Sequence, residues 1–148
     1  MFKKVVWATD GSKVADQALP VARTLAADGG GELLAVHCEE LMQPGKAVGR
    51  YPIHADEREL KAKIEQQVAE LSAGGVPATL QITSASAGQS AEVIADVARE
   101  AQGDVIVVGT RGHTALGGLL LGSMTQRLLH ITSRPVLAVP ANGAQPGD

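Results

Sequence analysis

The sequence predicts an α/β protein, a parallel sheet with helices packed on both faces. Two observations carry this. Short apolar runs alternate with stretches of helical period, giving five strands and four helices in strict succession, and that alternation folds as a parallel sheet covered on both sides. Two runs, Val5-Val6-Trp7-Ala8 and Val105-Ile106-Val107-Val108, are continuously apolar, as strands buried on both faces are.

The first strand, Lys3 to Ala8, stops at Thr9-Asp10-Gly11-Ser12, a turn in which Ser12 can cap a helix. Val14, Ala18, Ala22 and Leu25 then recur at helical spacing to about Asp28. Pro20 lies inside that helix and should kink it. Gly29-Gly30-Gly31 ends it, and a second strand runs from Glu32 to Cys38. Glu39 to His54 has no period and reads as a long loop. Leu60, Ile64, Val68 and Leu71 mark the inner face of an amphipathic helix that Gly74-Gly75 closes. Ala78 to Thr83 alternates, with Ala78, Leu80 and Ile82 on one face, which predicts an edge strand with one wet side. Ser90 to Ala101 is helical, with Ile94, Val97, Ala98 and Ala101 inward. Asp104 to Val108 is the fourth strand. A glycine-rich stretch from Gly109 to Gly122 leads into a helix from Ser123 to about Thr132, and Pro135 to Pro140 encloses the fifth strand.

The 148 residues suit one domain, expected over 1–140, with 141–148 a flexible tail. Thirteen basic against sixteen acidic residues give a net charge of -3, without the clustered basic excess of a nucleic-acid binder. Aromatics are Phe2, Trp7 and Tyr51 alone, so the core is aliphatic and stacking platforms for single strands are missing. No apolar run approaches the ~20 residues that span a bilayer, and the N-terminus turns polar too early for a signal peptide. The single cysteine, Cys38, cannot form an internal disulfide. The expected setting is cytoplasmic and reducing.

Open parallel sheets bind ligands beyond the carboxyl ends of their strands. Three loops lie there: Thr9 to Ser12, Glu39 to His54, and Gly109 to Gly122. The third is the most informative. Gly109 follows its strand directly, Gly112 comes three later, and Gly122-Ser123 opens the next helix. Glycines let backbone N–H groups approach a ligand, and the unpaired N–H groups of a helix's first turn suit an anion. Ser123 and Thr125 add hydroxyls. The alternative is a strand-to-helix loop whose glycines serve tight packing. A Walker loop is excluded, because Ser123 stands where that loop needs Lys, and the G-x-G-x-x-G pattern is absent.

Gly109-x2-Gly112-x9-Gly122-Ser123 resembles the nucleotide-binding motif of the universal stress protein family. Val5-Val6-Trp7-Ala8-Thr9-Asp10-Gly11-Ser12 is similar to that family's first strand and loop, and Ser133 to Val139 to its last strand. The resemblance covers about residues 2 to 140. It implies a five-stranded sheet of order 3-2-1-4-5, cytoplasmic homodimers, and ATP binding in the branch that carries the glycine motif. Matched position by position, it implies that Ala8, Thr9 and Asp10 meet the nucleotide, with Asp10 at the adenine and ribose end. Val36 packs beside adenine, and Val108 and Gly109 approach ribose and base. Arg111 and Gly112 enter the phosphate loop, and Gly122, Ser123, Met124 and Thr125 hold the phosphates. Met124 stands where a smaller Val is common, and Ala35-Val36-His37 replaces a commoner His-Val pair.

Other candidates are weaker. Asp10 by itself reads as a turn residue or helix cap. His37, His54, His113 and His130 show no metal-ligand spacing. Cys38 reads as a buried structural thiol. Ser12 and Ser123 lack triad partners. Glu57, Lys61, Lys63, Glu65 and Glu70 read as a solvated helix face, and Lys46, Arg50 and Tyr51 of the long loop as flexible surface charge in preference to a closure over a nucleotide. The expectation is therefore an ATP-binding stress-response or signalling protein with at most slow hydrolysis. Magnesium would enter only through the ATP phosphates. The partner is a second copy of the chain, joined along Val136 to Pro140, with no nucleic acid and no membrane. Rival readings are an AMP or cyclic AMP module, a true ATPase or adenylating enzyme on a related fold, and a scaffold without ligand.

Overall fold

The computed structural model describes residues 1–42, 51–52, 56–110 and 121–141. Its elements are β1 (Lys4–Ala8), α1 (Lys13–Asp28), β2 (Glu32–Met42), β3 (Tyr51–Pro52), α2 (Glu57–Ala73), β4 (Ala78–Ser86), α3 (Ser90–Glu100), β5 (Val105–Gly109), α4 (Ser123–Ile131) and β6 (Val136–Val139). The parallel strands run β4-β2-β1-β5-β6. Counted in chain order without the short β3, this is 3-2-1-4-5. The order reverses between β1 and β5, so their carboxyl ends open the crevice where such sheets bind ligands.

Alternation along each strand divides the core into two layers. Val5, Trp7, Leu33, Ala35, Val105 and Val107 face α1 and α2, meeting Ala18, Ala22, Ala26, Ile64 and Leu71. Val6, Ala8, Val36, Ile106 and Val108 face α3 and α4, meeting Ala91, Ile94, Val97, Ala98 and Leu128. Trp7 is the bulkiest of the fully buried residues, and its indole N–H donates to the Ala15 carbonyl at 3.0 Å. Truncating such a side chain to Ala costs about 3–5 kcal/mol.

Four details bear on the sequence expectation. The buried stripe of α1 is Ala15, Ala18, Ala22 and Ala26, with Val14 and Leu25 only half-buried at its flanks. Small side chains let this helix lie close over the sheet. Pro20 is exposed and α1 runs on through it to Asp28; lacking an N–H, it gives the Asp16 carbonyl no helical donor. The segment from Glu39 is not all loop, because β2 runs on to Met42 and pairs antiparallel with β3 at Leu41↔Pro52 and Met42↔Tyr51. Finally, Ile82 is 40% exposed. Ala78 and Leu80 pack toward α1 and α2, but farther along β4 it is Ala85, on the opposite face, that is buried. Each face of this edge strand is covered over only half its length, and Ile82 falls beyond the cover.

Candidate functional site

The carboxyl edge of β1 is a rigid turn. Thr9 is buried, and its N–H donates to the Val36 carbonyl at 2.9 Å. Its hydroxyl oxygen accepts from Gly11 N–H at 3.0 Å. Asp10 Oδ1 accepts from Ser12 N–H at 2.9 Å, an Asx turn. Gly11 has φ +78°, a conformation that glycine adopts without strain. Ser12 then caps α1, its hydroxyl accepting from Ala15 N–H at 3.2 Å. From α2, Lys63 donates to the Gly11 carbonyl at 2.9 Å.

Beside it, β5 ends at Gly109. A Cβ there would come within 2.7 Å of Val14 Cγ1 and 3.0 Å of the Val14 carbonyl, so the glycine is what lets α1 approach β5. This is the tight-packing role weighed above, and it coexists with a place at the edge. The chain leaves at Thr110 and returns at Leu121. Gly122 N–H donates to the Thr110 carbonyl at 2.6 Å, and the Thr125 hydroxyl donates to the Gly109 carbonyl at 3.0 Å. Thr110 N–H is held by the Val139 carbonyl of β6 at 3.0 Å. The stem of the glycine loop is thus clasped at both ends.

Gly122 is the N-cap of α4, with φ -70° and ψ 160°, and it makes no side-chain cap bond. The first turn of α4 contains no acidic residue. Its leading N–H groups have no helical acceptor by geometry, and the helix dipole favours an anion there. The start of α1 differs, having the Ser12 cap and Asp16 in its first turn.

The expected site residues divide by what their side chains do. Ala8, Val36 and Val108 are buried in the layer facing α3 and α4, and Met124 is partly buried against it. These four can offer a ligand little but backbone. Ser123 is exposed, and Thr125 is 2% exposed. The structure brings Thr9, Asp10, Gly109, Gly122, Ser123 and Thr125 to the same edge of the sheet. Arg111, Gly112 and His113 lie outside the described residues, as do Lys46, Arg50, His54, the side chain of Tyr51 and the 142–148 segment.

One pair escaped the sequence reading. Glu57 is not part of a solvated face; it is 8% exposed, and its Oε2 lies 2.9 Å from Nε2 of His37, itself 1% exposed. The other ring nitrogen of His37, Nδ1, is 2.9 Å from the Thr9 carbonyl. Alternation signalled half of this, since His37 follows Leu33 and Ala35 on the inward face of β2. Its partner depends on how α2 docks, which spacing does not show. Lys61 likewise bonds Glu39 of β2 at 3.0 Å, while Lys63 bonds Asp16 of α1. Cys38 is partly buried against the α3–α4 layer. Burial pushes its thiol up, offset by the Ser90 hydroxyl and reinforced by Glu40, Glu39 and Glu57. It stays protonated at neutral pH and is a poor nucleophile. Among the described residues no three His, Cys, Asp or Glu side chains gather as metal ligands, and no helix is long and apolar enough to cross a membrane.

The family model described as the universal stress protein family matches residues 1–140. The chain belongs to the universal stress protein family. A universal stress protein encoded in the QAH/OAS sulfhydrylase 3' region of Thermus aquaticus is 34% identical over 139 residues, covering 94% of this chain and 99% of that one. Among solved structures, a universal stress protein in complex with cAMP is 20% identical with a TM-score of 0.67, covering 95% of this chain and 98% of its own. One from Archaeoglobus fulgidus in complex with dAMP is 23% identical, also with a TM-score of 0.67, covering 94% and 98%. Both share the universal stress protein fold described above.

Proposed function

We propose that this universal stress protein binds an adenine nucleotide, ATP foremost, at the carboxyl edge of β1 and β5. The observation that carries the reading is the clasped glycine stem. Gly109 and Gly122 stand at the two ends of the motif spacing, and directly after Gly122 the backbone donors of α4 begin uncapped by any side chain. The phosphates lie on Gly122, Ser123, Met124 and Thr125, and the family resemblance adds Arg111 and Gly112 as residues of the phosphate loop. Ribose and adenine extend toward Asp10, Thr9, Ala8 and Val36, beside Val108. Magnesium, if used, is carried by the phosphates. Hydrolysis is slow at most, because Asp10 holds one carboxylate oxygen in its turn and α4 opens with no acid in its first turn.

A second reading has a specific basis. Two proteins of this fold are complexes with cAMP and dAMP, so a mononucleotide could be the resident ligand. Parallel calorimetric titrations with ATP, ADP, AMP and cAMP decide between them. Tightest binding of ATP is expected; tighter binding of AMP or cAMP replaces ATP with the mononucleotide reading. Steady-state phosphate release above the rate expected of slow turnover would establish an ATPase instead.

The same reading includes a homodimer in the cytoplasm. β6 ends the sheet, Leu137 on it is 38% exposed and Leu129 on α4 is 47% exposed. An open apolar edge strand is a liability for a lone chain. Antiparallel pairing with the β6 of a second copy about a two-fold axis satisfies it. Pro135 and Pro140 limit the pairing to a short patch.

A further inference from the structure

We propose that His37 and Glu57 act as a positioning pair for the nucleotide turn, holding it through a shared proton so that the turn loosens as that proton is lost. The Thr9 carbonyl can only accept, so Nδ1 of His37 carries hydrogen in its 2.9 Å contact. The 2.9 Å contact between Nε2 and Glu57 Oε2 then requires one more proton. Either the imidazolium donates to the carboxylate, or the carboxyl donates to Nε2. With neither proton present, a nitrogen lone pair would face a carboxylate oxygen, both of them buried, and the contact would be repulsive.

The position of the pair gives it leverage. Thr9 is held to β2 by its N–H on the Val36 carbonyl and by its own carbonyl on His37. Directly after Thr9 comes Asp10. Glu57 lies in the first turn of α2, so one chain of contacts joins that helix to the turn beneath the proposed ligand. Among the described residues the second oxygen of Glu57 is buried without a hydrogen-bond partner, and the side-chain contact found there for this carboxyl group is the one to His37. Among the described residues, the charged and titratable groups on the elements around the pair include Cys38, Glu39 and Glu40 on β2, Asp10 on the turn, and Asp16 on α1. Lys61 and Lys63 on α2 are paired with Glu39 and Asp16. On β4, the residue level with His37 is Ile82, which does not titrate. Rising pH removes the shared proton, so the effect on the turn grows with pH.

The consequence for ligand affinity rests on the nucleotide reading above; the consequence for the turn does not. The test compares the wild-type chain with Glu57→Gln, whose amide can donate to Nε2 without a titrating proton. ATP affinity is measured by calorimetry over a wide range, from about pH 5.5 to about pH 9. Titration of the ATP phosphates is common to both proteins and cancels. Wild-type affinity is expected to fall about three- to ten-fold relative to Glu57→Gln over that range, the worth of one internal hydrogen bond. Parallel profiles overturn the proposal. Amide hydrogen exchange at Gly11 and Ser12, corrected for intrinsic base catalysis, reads the turn itself. Protection lost with pH in the wild type but kept in Glu57→Gln supports the pair even if no nucleotide binds, in which case only the nucleotide reading fails. Equal protection in the two proteins, or a wild type whose protection ignores pH, overturns the pair whether or not ATP binds.

Discussion

The hydroxyl of Thr125 donates to the carbonyl of Gly109 at 3.0 Å, tying the first turn of α4 to the end of β5. With Gly122 on Thr110, it fixes where the uncapped start of α4 sits relative to the sheet edge. Thr125→Val keeps the shape and removes the donor. It should lower stability by about 1–2 kcal/mol, since a buried carbonyl loses its partner, and should weaken ATP binding. Thr125→Ser should restore most of both. Thermal unfolding and calorimetry on the three proteins check this; a Val variant indistinguishable from wild type removes the clasp from the account.

Gly122→Val should abolish ATP binding and leave the fold intact. The backbone at Gly122, φ -70° and ψ 160°, is one that any L-residue adopts, so the glycine is not needed for conformation. A branched Cβ would instead stand where the phosphates approach. Far-ultraviolet dichroism should be unchanged. Undiminished ATP affinity in the folded variant moves the phosphate site elsewhere.

Asp10 combines a turn role with a proposed ligand role, and two variants separate them. Asp10→Asn keeps a side-chain oxygen for Ser12 N–H and should melt near wild type, yet bind ATP more weakly by ~1–3 kcal/mol. Asp10→Ala should lose stability as well. Equal affinity in Asn and wild type would reduce Asp10 to its turn.

How far the sequence reached can be judged at particular residues. Buried strands such as Val105–Gly109 are legible because an uninterrupted apolar run leaves little alternative, and Ser12 is legible as a cap because capping is local chemistry. The glycine stem was visible as spacing, but its clasp was not. Thr125 and Gly109 are sixteen positions apart, and only the docking of α4 brings them together. The His37–Glu57 pair was hidden for the same reason, and Glu57 was misplaced because a glutamate among lysines on a helix has the pattern of a wet face. Ile82 was misplaced because strict alternation does not show where a covering helix ends.

Asp104 provides a pH-dependent prediction remote from the site. Its carboxylate accepts from Lys4 N–H at 2.8 Å and Lys3 N–H at 2.7 Å, and these bonds hold it below the usual aspartate range. A depressed carboxyl stabilises the fold above its unfolded pKa, and that contribution is lost as pH falls through the folded value. Asp104→Asn should therefore lower the melting temperature at neutral pH and converge with wild type in acid. A constant difference across pH would show that its charge plays no part. Because Asp104 is exposed, the effect should be small.

The dimer edge is best tested at Leu137. Val139 packs against the core layer of α1 and α2, so a charge there would damage the fold itself. Leu137 is 38% exposed, and Leu137→Lys should turn a sedimenting dimer into a folded monomer. A wild-type chain that sediments as a monomer at tens of micromolar contradicts the pairing.

Chemical-shift mapping with ATP on the nitrogen-15-labelled chain tests the central claim most directly. Saturable shifts are expected at the amides of Thr9, Asp10, Gly109 and Gly122 to Thr125, with the far ends of α1 and α2, around Ala26 and Leu71, unmoved. Absence of saturable shifts in the folded protein at millimolar ATP, or shifts centred away from the β1 and β5 edge, would contradict it.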